Sequence, residues 1–167
     1  LRLAIRALLL NAADNRMVSR LTREMVRVVK ADITNPRGQR NVIDGETELL
    51  LGFEFNTNGK LGTTIYAPYT SSIDRPTGVL GVDIPSYIPS NMIAAPGGTT
   101  HYKIISAGVD VDFENETYVI DSNASAILPW DAVATTALTL TNTVTAASTH
   151  PLFLALGIEF YQEVNGT

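Results

Sequence analysis

The sequence contains no cysteine, and only one tryptophan and two histidines among its 167 residues. The missing cysteine excludes disulfides, thiolate nucleophiles and cysteine-bound zinc. The longest unbroken apolar run, 152–156, is far too short to cross a bilayer, so we expect no membrane span. Charged residues make up 17% of the chain and hydrophobic residues 45%, which excludes a disordered chain.

The length suits a single domain with a sizeable core and a possible appendage. The sequence starts without Met and stops just after a strand-like segment. We therefore expect it to be a portion of a longer protein.

Charge is distributed very unevenly along the chain. Residues 1–40 carry nine basic and three acidic side chains, a net charge of +6. Residues 41–167 carry three basic and fourteen acidic side chains, a net charge of −11. This asymmetry predicts two parts with different roles, a basic helical arm over 1–40 and an acidic β-domain over 41–167.

An amphipathic helix is predicted over 14–32, after an earlier helix over 1–10. The predicted helix carries two stripes that lie on roughly opposite faces at about 100° per residue. The apolar stripe, expected to pack the helix on the rest of the protein, is Val18, Leu21, Met25 and Val28. The basic stripe, expected to face outward, is Arg16, Arg20, Arg23, Arg27 and Lys30.

After residue 45 the helical period gives way to period-2 alternation, with turn residues every eight to twelve positions. Seven strands are predicted, over 48–56, 63–68, 79–84, 100–113, 117–122, 137–143 and 151–163. Short strands with few helices between them are typical of an antiparallel β-sandwich. The predicted fold is mainly β, an immunoglobulin- or fibronectin-like sandwich with an N-terminal amphipathic helical arm.

The clearest local unit is the hairpin encoded by "VDVDFENETYVID". Apolar and acidic residues alternate over 109–114, which predicts that the apolar ones face the core and the acids face solvent. A two-residue turn at 115–116 would place Phe113 opposite Tyr118, with apolar residues of both strands on one side.

Two stretches nearly repeat each other, "LGFEF" at 51–55 and "LGIEF" at 156–160. Nothing else matches at this offset, so an internal duplication is not indicated. Both are predicted as core strands with the leucine, isoleucine and phenylalanine side chains inward. Glu54 and Glu159 then lie on a solvated face; the alternative is a pair of facing catalytic carboxylates.

Other candidate sites carry weaker signals. The acids over 110–121 have the density of a calcium loop, but they lack its glycine and alternate as a strand does. His101 and His150 lie outside any nucleophile motif, and Trp130 fits a loop anchor better than a sugar-stacking platform. We therefore predict no catalytic residue, no cofactor and no metal.

The basic stripe admits three interpretations: a solvated surface, a nucleic-acid contact, and a contact with the acidic β-domain of another copy. A phosphate contact would give strongly salt-dependent affinity, but no aromatic residue accompanies the arginines to stack on bases. Contact between copies would be head-to-tail and would produce rings or filaments.

The runs "RGQRNVIDGETELLLGFEFNTNGKLGTTIYAPYT", "APGGTTHYKIISAGVDVDFENETY" and "PLFLALGIEFYQEVNG" resemble a family of uncharacterised Bacteroidota proteins. The resemblance covers most of residues 1–166 and implies a bacterial origin. It implies no activity and no site residue.

The sequence thus favours a non-enzymatic structural protein that self-assembles through its basic arm, in an extracellular or particle-associated setting. The alternative is an adhesion or binding module that contacts a glycan or protein through loops near Trp130 or 87–96. A further alternative is a nucleic-acid-binding arm on a β-sandwich.

Overall fold

The computed structural model describes residues 13–43 and 45–164. The protein is mainly β, with two antiparallel sheets preceded by one amphipathic helix, α1 (Met17–Lys30). The helix predicted over 1–10 lies outside the described residues. Within the described ranges no helix is both long and apolar enough to cross a membrane.

Helix α1 is followed by two 3₁₀ turns, Thr47–Leu50 and Leu61–Thr63, and then by the strands. The remaining elements are β1 (Thr70–Asp74), β2 (Val79–Ile84), the short helix α2 (Pro89–Met92), β3 (His101–Asp112), β4 (Thr117–Ala124), β5 (Leu128–Pro129), β6 (Leu138–Thr143) and β7 (Leu152–Tyr161). One sheet has the order β1-β2-β6. In the other, β3 is the central strand and pairs with β4, β5 and β7.

Five of the seven predicted strands exist. The prediction over 79–84 coincides with β2, and those over 100–113, 117–122, 137–143 and 151–163 overlap β3, β4, β6 and β7. In β2, β3, β6 and β7, alternation or a long apolar run agrees with burial in a sheet, whereas β4 is mostly exposed and follows from the hairpin pattern.

The strand predicted over 48–56 is wrong. The segment contains the 3₁₀ turn Thr47–Leu50, and Gly52 adopts a φ of 73°, which is left-handed backbone and cannot continue a strand. Leu51, predicted to be in the core, is 92% exposed. "LGFEF" and "LGIEF" therefore share letters but not structure.

A second strand prediction, over 63–68, is also wrong, because only an isolated bridge joins Ile65 to Ile93. Conversely, β1 was not predicted. Its sequence, TSSID, is polar and all five residues are exposed, so it has no hydrophobic alternation to detect.

The predicted β3–β4 hairpin exists, but its register differs by two residues. Val111, not Phe113, lies opposite Tyr118, and residues 113–116 form a four-residue loop. The Asp112 carboxylate stabilises this loop by accepting hydrogen bonds from the backbone N–H of Glu114 (2.9 Å) and of Asn115 (3.0 Å). Glu116 completes the turn with a φ of 55°.

The main core lies between the two sheets. Val82, Ile84 and Leu140 from one sheet pack with Tyr102 and Ile104 from the other. Side chains at even positions of β3 face the opposite sheet. The 2.8 Å hydrogen bond that Asn142 Nδ2 donates to Ser106 Oγ shows this orientation.

The opposite face of β3 is covered as well. Val109 and Val111 pack with Phe55, Ile120 and Phe153 in a second cluster. The expectation that the acids between these valines face solvent is wrong for Asp110, which is buried. Central strands covered on both faces do not follow the simple rule of apolar inside and polar outside.

Candidate interaction surface on the helical arm

Helix α1 is fixed at its N-terminal end by one carboxylate. Asp14 accepts hydrogen bonds from the backbone N–H of Arg16 (2.8 Å) and Thr57 (2.9 Å), and from the Thr57 hydroxyl (3.0 Å). The Arg20 guanidinium also pairs with it. We call Asp14, Arg16, Arg20 and Thr57 the Asp14 network. It joins α1 to a segment more than thirty residues further along the chain.

The side chain of Arg20 is engaged within the protein by this network and its surroundings. Besides Asp14, its guanidinium donates to the backbone oxygens of Glu54 and Phe55 and lies 5.3 Å from the centre of the Phe53 ring. The expectation that Arg20 faces outward with the rest of the basic stripe is therefore wrong. Its role is to hold α1 in place.

The Asp14 network favours the ionised carboxylate. The pKa of Asp14 is lowered to about 2, chiefly by the backbone hydrogen bond from Thr57, with further hydrogen bonds from Arg16, the Thr57 hydroxyl and Arg20 outweighing desolvation. The attachment of α1 therefore depends on pH in the acid range.

The other predicted members of the stripe lie on the surface. The side chains of Arg23 and Arg27 are 72% and 61% exposed, and Arg16 and Lys30 are exposed too. Glu24 accepts from Arg27 Nη1 at 2.6 Å and from Arg23 Nε at 3.1 Å. These bonds, that from Arg27 first, hold the pKa of Glu24 below its usual value. Two of the four surface cations are thus partly neutralised.

The helix packs through a slightly different face from the predicted one. Leu21 and Val28 are buried as expected, together with Met17, but Val18 is 42% exposed and Met25 is only half-buried. The face of the helix that packs inward also includes the half-buried Glu24. Its partial burial is tolerated because its carboxylate pairs with two neighbouring arginines.

Because the helix packs through this different face, an apolar strip on its outer side stays partly exposed and lines a groove of about 580 Å³. The strip, Met25, Val26 and Val29, forms the floor of the groove, and three cations, Lys30, Arg37 and Arg40, form its rim. We call these six residues the cationic groove. Two of the rim residues lie beyond the helix, so the stripe pattern gave no indication of their role.

The loop that supplies this rim is organised around Asp32. This fully buried carboxylate accepts from the backbone N–H groups of Thr34 (2.8 Å), Asn35 (3.0 Å) and Asn41 (3.1 Å), and from Asn35 Nδ2 (2.9 Å). Burial raises the pKa of Asp32, but these hydrogen bonds outweigh burial and the net pKa is lowered.

The rim cations differ in how they are engaged. Arg40 Nη1 donates to the backbone oxygen of Lys30 at 3.1 Å, which satisfies a carbonyl at the C-terminal end of α1. Within the described part of the chain, the side chains of Lys30 and Arg37 have no acidic partner. Their charge is available to another molecule.

A surface of opposite charge lies at the tip of the β3–β4 hairpin. Residues 113–116, which we call the acidic loop, include the exposed side chains of Glu114 and Glu116. In the described ranges neither carboxylate forms an ion pair or a hydrogen bond. The neighbouring Tyr118 and Val119 are each 47% exposed, so apolar surface adjoins the acids.

The remaining candidates have structural partners. Trp130 packs against the main core and donates its indole N–H to the Ile93 oxygen at 3.1 Å, as a loop anchor does. Glu54 accepts from the Leu61 N–H at 2.9 Å, whereas Glu159 pairs with Lys103 Nζ at 2.8 Å across β3 and β7. The two carboxylates have separate partners.

Sequence reasoning did not anticipate the contact of His150 with two aspartates. Its Nδ1 lies 3.0 Å from the buried Asp110 carboxylate and its Nε2 lies 3.7 Å from Asp112. Among residues 13–43 and 45–164, no group of three or more acidic or histidine side chains is placed to hold a metal ion. His101, the other histidine, lies 4.0 Å from Glu163.

Comparison with known proteins adds no relative: no family model, no curated protein and no solved structure matches this chain.

Proposed function

We propose that the protein is a non-enzymatic structural subunit that self-associates, with the cationic groove of one copy binding the acidic loop of the next. The observation that carries the proposal is the presence, on one chain, of two exposed surfaces of opposite charge whose key side chains have no ion-pair partner among residues 13–43 and 45–164. Lys30 and Arg37 are on one surface, and Glu114 and Glu116 are on the other.

Shape and polarity support the same pairing. The groove has an apolar floor and a cationic rim, while the acidic loop carries two carboxylates beside exposed Tyr118 and Val119. Complementary charge increases the association rate and selects the partner, and apolar contact contributes the affinity that exposed ion pairs do not.

The proposed contact is heterologous, since two different surfaces of the chain meet. Repetition of such a contact gives a closed ring or an open filament, depending on the rotation between neighbours. Exposed ion pairs contribute only about 0.2–1 kcal/mol each, and dissolved salt screens them. The assembly should therefore weaken as salt is added.

We further propose that the two sheets form a β-sandwich of the immunoglobulin or fibronectin type. Contact between the sheets through Ser106 and Asn142 supports the sandwich. The strand orders support the type: β1, β2 and β6 correspond to strands A, B and E of that fold, and β4, β3 and β7 correspond to C′, C and F.

Charge reversal tests the proposed contact. The double variant Lys30→Glu/Arg37→Glu should lose the salt-sensitive association that the parent shows at low salt, because like charges then meet across the interface. Arg16→Glu is the control, since the exposed Arg16 side chain lies just before α1 and outside the groove, and the residue contributes only its backbone N–H to the Asp14 network; it should associate like the parent.

Sedimentation velocity at low and high salt measures the outcome. A parent protein that stays monomeric at low salt and high concentration would contradict the proposal, as would a double variant that associates like the parent. Salt-sensitive binding of a short DNA duplex by a monomeric parent would instead favour the nucleic-acid interpretation.

A further inference from the structure

Strand β7 forms an unusual edge of its sheet. It is ten residues long, LFLALGIEFY, and Glu159 is its only charged residue. Nine of its ten residues are buried or half-buried. Among the described strands β7 pairs only with β3, so its other side forms the edge of the sheet.

The register determines which backbone groups of β7 point outward. Val111 donates its N–H to the Pro151 oxygen at 3.1 Å, so this pair and every second pair along the ladder are hydrogen-bonded. Odd positions of β7 therefore bond to β3. The N–H and C=O groups of the even positions face away from it: Leu152, Leu154, Leu156, Ile158 and Phe160.

These outward groups have no partner in the described part of the chain. No backbone or side-chain hydrogen bond reaches Leu154, Leu156, Ile158 or Phe160 from outside the β3 ladder. The 3₁₀ turn Leu61–Thr63 lies near β7, but its N–H groups bond elsewhere, to Glu54 and Lys60.

The other edges among the described strands, β1, β4, β5 and β6, are less suited to pairing than β7, and β5 has only two residues. The edge of β6 is capped by side chains, since Asp121 accepts from the Thr143 N–H (2.7 Å) and Asn123 Nδ2 donates to the Thr141 oxygen (3.0 Å). Strand β1 is short and polar, and the second half of β4 is polar. A long apolar edge without such devices is a surface for strand addition.

We propose that β7 pairs antiparallel with β7 of a second copy, across a two-fold axis, to form one continuous sheet. This interface goes beyond the groove contact proposed above and does not depend on it, because the strand contains almost no charge.

Backbone geometry restricts the register of the pair. Outward groups of one strand must face outward groups of the other, so even positions pair with even positions. All five even positions find partners only when Leu156 lies opposite Leu156 of the second copy. Leu154 then faces Ile158, and Leu152 faces Phe160.

This register also satisfies the side chains. Leu154, Leu156, Ile158 and Phe160 pack on the main core of their own copy, so apolar residues would extend the core across the interface. Glu159 lies opposite Phe153, and the two Glu159 carboxylates stand about 20 Å apart, at roughly 3.3 Å per residue. No like charges meet.

Hydrogen exchange on the unmodified protein tests the pairing. We expect the amides of Leu154, Leu156, Ile158 and Phe160 to exchange about tenfold more slowly, or slower still, in concentrated than in dilute samples. The matched control is the outer edge of β1, where the amides of Ser71 and Ile73, which face away from β2, should exchange at the same rate in both.

Cysteine cross-linking tests the register, and the chain has no cysteine to interfere. Leu156→Cys places two thiols in a hydrogen-bonded pair, whose Cα atoms lie about 5.5 Å apart, within disulfide range. Leu154→Cys is the control, because its two copies would be about 13 Å apart at roughly 3.3 Å per residue. Mild oxidation in about 1 M NaCl, which screens the groove contact, should cross-link only Leu156→Cys.

Two results would overturn the inference: β7 amides that exchange at the same fast rate at all concentrations, and equal cross-linking of the two cysteine variants. Protection of these amides that does not vary with concentration would also overturn it, since residues of the same chain would then cover the edge. The Lys30→Glu/Arg37→Glu variant should lose the salt-sensitive association through the groove and still show concentration-dependent protection of the β7 amides, so the two proposals fail separately.

Discussion

Different interactions stabilise the helical arm and the two-sheet part of this protein. Between residues 13 and 57, beside the three buried apolar residues of α1, many hydrogen bonds converge on two carboxylates, with Asp14 fixing the start of α1 and Asp32 fixing the loop beyond its end. Between residues 70 and 161 the contacts are mainly apolar, centred on fully buried residues such as Tyr102 and Ile104.

The difference shows that high local charge does not by itself indicate a binding surface. Arg20 belongs to the same stripe as Arg23, yet it is engaged with Asp14 and two backbone oxygens, whereas Arg23 is largely exposed. One helix thus carries a cation that holds the arm in place, Arg20, and a cation without an acidic partner among the described residues, Lys30. The two parts should therefore respond differently to mutation and to pH.

The largest effect is expected in the two-sheet part. Ile104→Ala removes a fully buried side chain between the sheets and should lower the free energy of unfolding by about 2–5 kcal/mol. Urea denaturation followed by Trp130 fluorescence measures it, since Trp130 packs on the same core. Ile73→Ala, on the exposed strand β1, is the control and should change stability by no more than about 0.5 kcal/mol. Similar losses for both variants would refute the assigned core.

Strong acid should weaken the attachment of the arm. The folded pKa of Asp14, about 2, lies below its unfolded value of about 3.9, so its contribution is complete above about pH 4 and is lost as the pH falls through about 2. Asp32 and Glu24, whose pKa values are also lowered, act in the same direction. In NMR spectra the Thr57 and Asn35 amide signals should shift in this range while that of Ile104 does not. Simultaneous shifts at all three sites would contradict separate stabilisation.

A single substitution should reproduce part of the acid effect at neutral pH. Asp14→Asn keeps the size of the side chain but removes the charge that pairs with Arg20, and it weakens the bonds from Thr57. Faster exchange of the Thr57 amide is expected, with the Ile104 amide unchanged. Asp74→Asn, on the exposed strand β1, is the control and should leave the Thr57 amide unaffected.

The smallest effect concerns the partly exposed ion pair between Lys103 of β3 and Glu159 of β7. Glu159→Gln removes the charge that faces Lys103, but both side chains are partly exposed, so the loss should be about 0.5 kcal/mol or less. Urea midpoints should therefore match those of Glu116→Gln within error, because Glu116 has no partner in the described residues. A loss comparable with that of Ile104→Ala would show that this pair is not a surface contact.

The parts of the fold that sequence predicts best are those in which local pattern and burial agree. Strands β2, β3, β6 and β7 and helix α1 follow this rule, whereas β4 is mostly exposed and is indicated by its hairpin pattern. The stretch "LGFEF" was misread because the left-handed backbone at Gly52 interrupts a strand-like pattern. Strand β1 was missed because its pairing with β2, not any apolar residue, makes it a strand.

The candidate surface was only half predictable. Helical spacing indicates Arg23, Arg27 and Lys30. It does not indicate that Arg20 turns towards Asp14, which lies six residues earlier and precedes α1. The groove also depends on Arg37 and Arg40, which the buried Asp32 holds beside the helix. Such long-range hydrogen bonds leave no periodic pattern in a sequence.

The proposed self-association can be tested by exchanging charges between the two surfaces. One variant, Lys30→Glu/Arg37→Glu, loses the cationic groove, and another, Glu114→Lys/Glu116→Lys, loses the acidic loop. Sedimentation velocity at low salt should find a weakened tendency to associate in each variant alone and recovery in their equimolar mixture, because the reversed groove then meets the reversed loop. A mixture that associates no more than either variant alone would contradict direct contact between the cationic groove and the acidic loop.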